Sequence, residues 1–296
     1  AEPAVVRLAV HALRLVSESE SLRGRMLSEP GLLQSLVHLT NSDEAEAQRH
    51  ALLAVMQLSA VASQLYTFLG LLPAMPLAAL AASGSIELQH ATARLFFLLG
   101  RGGGGGTPAG GRATPHSTPD GSGRGGSQGG CAAMDTLAEA ASTPLVVLCG
   151  SGHPQVQCAA AQAVARLAGH CEGSRQLLYD EGVLPPLVAA LTSPDVHVRH
   201  HASVAIKQLS LSSSRRHLLA RPKPIRALVG CVLELQTLPT VGCAAIWAIS
   251  NATTGTVEAE GGGPPFLLSL RPPGPTAPPP LGPFRENAFL ARFKNF

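Results

Sequence analysis

The chain has 296 residues, 45% of them hydrophobic and only 4% aromatic, which is enough apolar material for two ordinary domains or one long repeat array. A net charge of +3 with a pI near 8.7 falls short of the charge density of a nucleic-acid domain, so nucleic acid is not an expected partner. The six cysteines, at 131, 149, 158, 171, 231 and 243, form no C-x-x-C pair, which removes zinc-ribbon and thioredoxin-like readings and suits a reducing compartment, cytoplasmic or nuclear.

In chain order, alanine-rich helices are predicted at 8–18, 50–60, 90–100, 159–169, 201–211 and 242–252. Aligned on the last of them, equivalent positions are Leu15, Gln57, Phe97, Arg166, Gln208 and Asn251, separated by 42, 40, 69, 42 and 43 residues. The one long interval contains a glycine-rich run, 101–130, and removing that run nearly restores a period of 42. Each alanine-rich helix is followed by a short helix, a break at Gly or Pro and a second apolar helix, at 26–43, 68–85, 136–153, 177–195 and 218–235. In the clearest copy Gly182 ends one helix and Pro185 opens the next. Leu184, Leu187, Val188 and Leu191 then form one apolar stripe. Asp195 and Ser42 are expected N-caps of the long helices that follow. The stretch 51–86 carries no charge and is long enough to span a bilayer, but its polar residues and Pro73 and Pro76 make it two buried helices, so no transmembrane segment is expected.

The sequence DEGVLPPLVAALTSPDVHVRHHASVAIKQLS, 180–210, resembles the armadillo repeat family, and the resemblance covers residues 1–255 apart from the insertion. It implies an all-α, right-handed α-solenoid of about five to six three-helix repeats, with a concave groove lined by the alanine-rich helices. The expected organisation is armadillo repeats over 1–100, a disordered Gly-rich insertion over 101–130, repeats again over 131–255, and a Pro/Gly-rich disordered tail over 256–296. HEAT repeats share the length and the helix pairs. The three-helix unit and the Gly before Pro favour armadillo.

The last helix reads WAISNATTG, which resembles importin-alpha within that family. There a tryptophan and an asparagine form rungs along the groove. An asparagine amide both donates and accepts, matching the unpaired backbone of an extended peptide, and an indole face attracts a lysine. That resemblance places partner-binding residues at Trp247 and Asn251. The other Trp positions read His11, Leu53, Ala93, Gln162 and Val204. Gln57 and Gln208 are the amides best placed to share the task, Gln162 lies beside them, and Arg166 at an Asn position would repel a basic peptide. Trp247 has a second reading, as core between repeats.

Remaining features are weaker. His197, His200 and His201 include an i, i+4 pair without a third ligand, so no metal or other cofactor is expected. Arg215, Arg216, Arg221, Lys223 and Arg226 form a basic patch around a turn, suited to an acidic partner or a localisation signal. Thr107, Thr114 and Thr118 each precede proline and are candidate phosphorylation sites. No catalytic constellation is present. The expected function is a non-catalytic scaffold or adaptor for a protein or peptide, with no small-molecule substrate. The alternatives are an importin-alpha-like import adaptor for basic peptides and the substrate-recognition part of a ubiquitin ligase.

Overall fold

The structure is a computed structural model that describes residues 2–61, 65–102, 125–234 and 237–260, the side chains of 102, 125–129 and 254–260 excepted. Thr107, Thr114 and Thr118, most of the glycine-rich run and the tail from 261 onward lie outside the described residues.

Among the described residues every regular element is a helix. In order they are α1 (Pro3–Glu18), α2 (Glu20–Ser28), α3 (Leu32–Leu39), α4 (Ala45–Leu58), α5 (Leu65–Leu71), α6 (Leu77–Ala81), α7 (Ile86–Gly102), α8 (Gly125–Cys149), α9 (Pro154–Ala168), α10 (Glu172–Asp180), α11 (Leu184–Ala190), α12 (Val196–Leu209), α13 (Pro222–Leu233) and α14 (Pro239–Glu260). Short 3-10 turns occupy Leu72–Ala74 and Arg216–Ala220. The alanine-rich helices α1, α4, α7, α9, α12 and α14 pack side by side in that order, each against the next. Their alanines make this possible. Ala47, Ala51, Ala54, Ala160, Ala163, Ala202, Ala205, Ala245 and Ala248 are buried, and small side chains let neighbouring axes approach closely. The shorter helices supply the larger core residues, such as Leu36, Phe68, Leu80 and Leu187. The result is an all-α solenoid with one continuous hydrophobic core, in which each unit buries its apolar face on its neighbours.

Local signals explain most boundaries. Gly182 takes a left-handed φ of 85° after α10, its N–H donating to the Tyr179 carbonyl while Val183 N–H donates to Leu178. An L side chain at that φ costs about 1 kcal/mol. Gly182→Ala is therefore expected to lower the thermal midpoint measurably, and an unchanged melting curve would contradict this account of the turn. Asp195 caps α12 as expected, its carboxylate accepting from His197 and Val198 N–H at 2.7 and 3.2 Å.

Three sequence expectations need correction. Ser42 does not cap α4. It lies three residues ahead of the helix and accepts from Glu44 N–H, and Glu44 occupies the cap position. Pro144 does not split the fourth unit, because α8 runs through it as one helix. The proline ring is buried in the array, and helix packing outweighs the missing hydrogen bond. At the edges of the expected insertion and tail, residues 125–130 and 256–260 have helical backbone as parts of α8 and α14. The uncharged stretch 51–86 runs from within α4 through α5 and α6 to the first residue of α7, and among the described residues the helical stretch that meets the length and hydropathy of a membrane span is Gly130–Cys149, half of it buried inside the array.

Candidate functional site: the groove face of the alanine-rich helices

The apolar sides of the alanine-rich helices are spent on one another, so their remaining faces form a shared surface. Residues three and four apart repeat along each helix and make a stripe. None of the six positions aligned with Asn251 is fully buried: Leu15 and Arg166 are exposed, Gln57, Gln208 and Asn251 are half-buried, and Phe97 is half-buried with one side on the core. The positions aligned with Trp247 behave alike, with one exception. Ala93 is buried, and its neighbour Arg94 takes the surface position.

Trp247 is 43% exposed, which removes the reading of a core residue. The Lys207 ammonium from α12 lies 5.5 Å from its ring centroid, within cation–π range. Asn251 donates from Nδ2 to Ser210 Oγ at 2.9 Å, so its amide is tied to the preceding unit. At the other end Gln57 accepts from Arg23 Nη2 at 3.2 Å. Between them, Gln162 Nε2 sits 2.8 Å from His201 Nε2. The Gln208 amide lies over Gly169 with no hydrogen-bond partner among the described residues.

The predicted groove residues therefore occupy three stations. Gln162, Arg166 and Gln208 share a pocket of about 480 Å³ with Phe97, His201 and Val204. Trp247 and Asn251 lie on α14, beyond that pocket, and Gln57 lies on α4, before it. An adjoining pocket of about 560 Å³ includes His90, Arg94, Gln155, Cys158, Asp195 and His197. Sequence reasoning missed the centre of this arrangement. The guanidinium carbons of Arg94 and Arg166 lie 5.2 and 5.4 Å from the Phe97 centroid. The signal was available, since Arg94 and Phe97 are i, i+3 on one helix and Phe97 aligns with Arg166. Gly100 completes the fit: an added Cβ there would stand 2.9 Å from Arg166 Cγ, and its carbonyl is 2.8 Å from His170 Nε2.

Burial, joined by the charge of Arg94, holds His90 below the usual imidazole range. Burial and the neighbouring His200 and His197 do the same for His201. His197, His200 and His201 do not converge. His201 is engaged with Gln162, His200 meets its ring edge at 4.9 Å, and among the described residues no group of His, Cys, Asp or Glu is arranged to hold a metal. The basic patch is divided and lies off the groove helices. Arg215 pairs with Asp180 at 2.9 Å, while Arg221, Lys223 and Arg226 are exposed on and beside α13.

Comparison with known proteins agrees with this architecture. Residues 171–211 match the armadillo/beta-catenin-like repeat. A designed armadillo repeat protein superposes with a TM-score of 0.63 at 20% identity, covering 83% of this chain and 92% of its own. A computationally designed armadillo repeat protein for modular peptide recognition gives 0.66 at 21% identity, over 84% and 94%. A third designed armadillo protein, in complex with the peptide (KR)4, gives 0.63 at 20%, over 83% and 91%. No curated protein sequence matches. Fold and groove together define an armadillo-type α-solenoid. The sequence match to the armadillo/beta-catenin-like repeat is confined to one unit, residues 171–211, and the likeness of the whole array to the designed armadillo proteins is one of fold.

Proposed function

We propose that the array is a non-catalytic protein-interaction scaffold that holds an extended segment of a partner along the groove face. The observation that carries this reading is the continuous surface stripe on α4, α7, α9, α12 and α14, in which side-chain amides alternate with cations and one exposed indole. An extended peptide presents unpaired N–H and C=O groups at regular intervals, and amides such as Gln208 can answer both. That designed proteins of this fold recognise peptides supports the same ligand class. All six cysteines are free thiols, which supports a cytoplasmic or nuclear location.

The import-adaptor reading requires Lys/Arg-rich peptides on Trp247. Lys207 already occupies the cation position over that ring, and Arg94 and Arg166 line the groove beyond it, so a general scaffold fits better. A role as the substrate-recognition part of a ubiquitin ligase would use the same groove, with catalysis in a separate domain. The test is affinity capture with the whole chain as wild type and as Trp247→Ala with Asn251→Ala, helicity being checked by circular dichroism. Partners retained by the wild type should fall about tenfold with the folded double variant. Identical capture by both would remove Trp247 and Asn251 from the binding surface.

A further inference from the structure

The centre of the groove has a chemistry of its own. Arg94 and Arg166 come from successive alanine-rich helices and stack on Phe97. Lys207 follows on α12. None of the three forms an ion pair with a carboxylate among the described residues, whereas Arg7, Arg14, Arg49, Arg175, Arg199 and Arg215 all do. Six other arginines are thus neutralised within the protein, whereas the two that stack on Phe97 are held in place without a carboxylate. Stacking on an aromatic face fixes a guanidinium in place while leaving its N–H edge free to donate, so less ordering entropy is lost when a carboxylate arrives. Of the residues lining these two pockets the carboxylate is Asp195, whose Oδ1 accepts from the first turn of α12.

Resting on the groove reading above, we infer that the segment held across α7, α9 and α12 is acidic, an extended stretch rich in Asp and Glu whose carboxylates meet Arg94 and Arg166. Bidentate Arg–carboxylate pairs give both charge and geometry. The unpartnered Gln208 amide in the same pocket is suited to the backbone between them. A nucleic acid fits less well. Three cations are few for a phosphate backbone, and the Phe97 ring is already engaged by the protein's own Arg94 and Arg166.

The experiment is an array of random 12-residue peptides, graded by net charge, probed with the full chain at two salt concentrations. It is repeated with Arg94→Gln/Arg166→Gln, with Trp247→Ala, and with a single-stranded oligonucleotide as competitor. Binding is expected to rise with Asp and Glu content, to weaken at higher salt, and to fall at least tenfold for acidic peptides in the double arginine variant, whose circular dichroism matches wild type. Binding that rises with Lys and Arg content, or that is indifferent to charge, overturns the acidic assignment and leaves the groove reading standing. Acidic binding that survives the arginine variant, or full displacement by the oligonucleotide, also overturns it. No peptide bound at all would bring down the groove reading with it. A variant that fails to fold is replaced by Arg166→Gln alone, since Arg166 is exposed and Gln stands at that position in two other units.

Discussion

Phe96→Ala is expected to destabilise the array by about 3–5 kcal/mol, the cost of removing a large buried aromatic whose neighbours cannot collapse into the space. Phe96 is fully buried in α7, which packs on α4, α8 and α9, so its ring lies where two halves of the solenoid meet. In a linear array each unit touches only its neighbours, and a cavity at one interface weakens the coupling between the parts on either side. Urea unfolding followed by circular dichroism should show an early transition and, with the interface weakened, a second one. A midpoint shift worth less than about 1 kcal/mol would mean that the interface repacks easily, contrary to the close packing described.

Glu172 is expected to control acid sensitivity. It stands in the first turn of α10 and accepts from Ser212 Oγ at 2.7 Å, Ser214 Oγ at 3.2 Å and Arg175 Nε at 3.1 Å, tying one unit to the loop after the next alanine-rich helix. Burial alone would raise its pKa, but the hydrogen bonds from Ser212 and Arg175 and the charge of Arg175 outweigh that and hold it near 2. A carboxyl lowered on folding contributes stability above its unfolded value of 4.5, and that contribution is lost as pH falls from there towards 2. The histidines act in the same direction at higher pH. His50, His90 and His201 are lowered below 6.5, so the unfolded chain takes up protons first and stability declines as pH drops below that value. Thermal midpoints measured from pH 8 to pH 3 should fall in two stages. Glu172→Gln should cost about 1–2 kcal/mol at neutral pH, because it weakens charge-assisted bonds and leaves the buried Ser212 hydroxyl a poorer partner. It should flatten the lower stage and leave the upper one. An unaltered lower stage would place the acid response elsewhere.

The architecture was legible because the alanine-rich helices recur at a nearly fixed interval, and because turns such as Gly182–Pro185 follow local rules that packing does not override. Where packing decides, the sequence misled. Pro144 is a helix breaker by its own chemistry, yet burial on both sides holds α8 continuous. Ser42 is a better capping residue than Glu44, but the helix begins two positions too late for it. The groove was half legible for the same reason. Alignment placed Gln162, Arg166 and Gln208 in one pocket, but it marked Ala93 where the surface residue is Arg94, and so concealed the arginine pair on Phe97. Which residue of a helix faces outward depends on a rotation of the whole helix, and that rotation is set by the helices beside it.

The single indole also has a spectroscopic consequence. Every photon of tryptophan emission from this chain originates at Trp247, partly open to solvent and overlaid by the Lys207 ammonium. Any segment that settles over α12 and α14 must displace water, the ammonium or both from that ring. The protein therefore carries an intrinsic fluorophore at one end of its groove, and occupancy there can be followed in solution without a label.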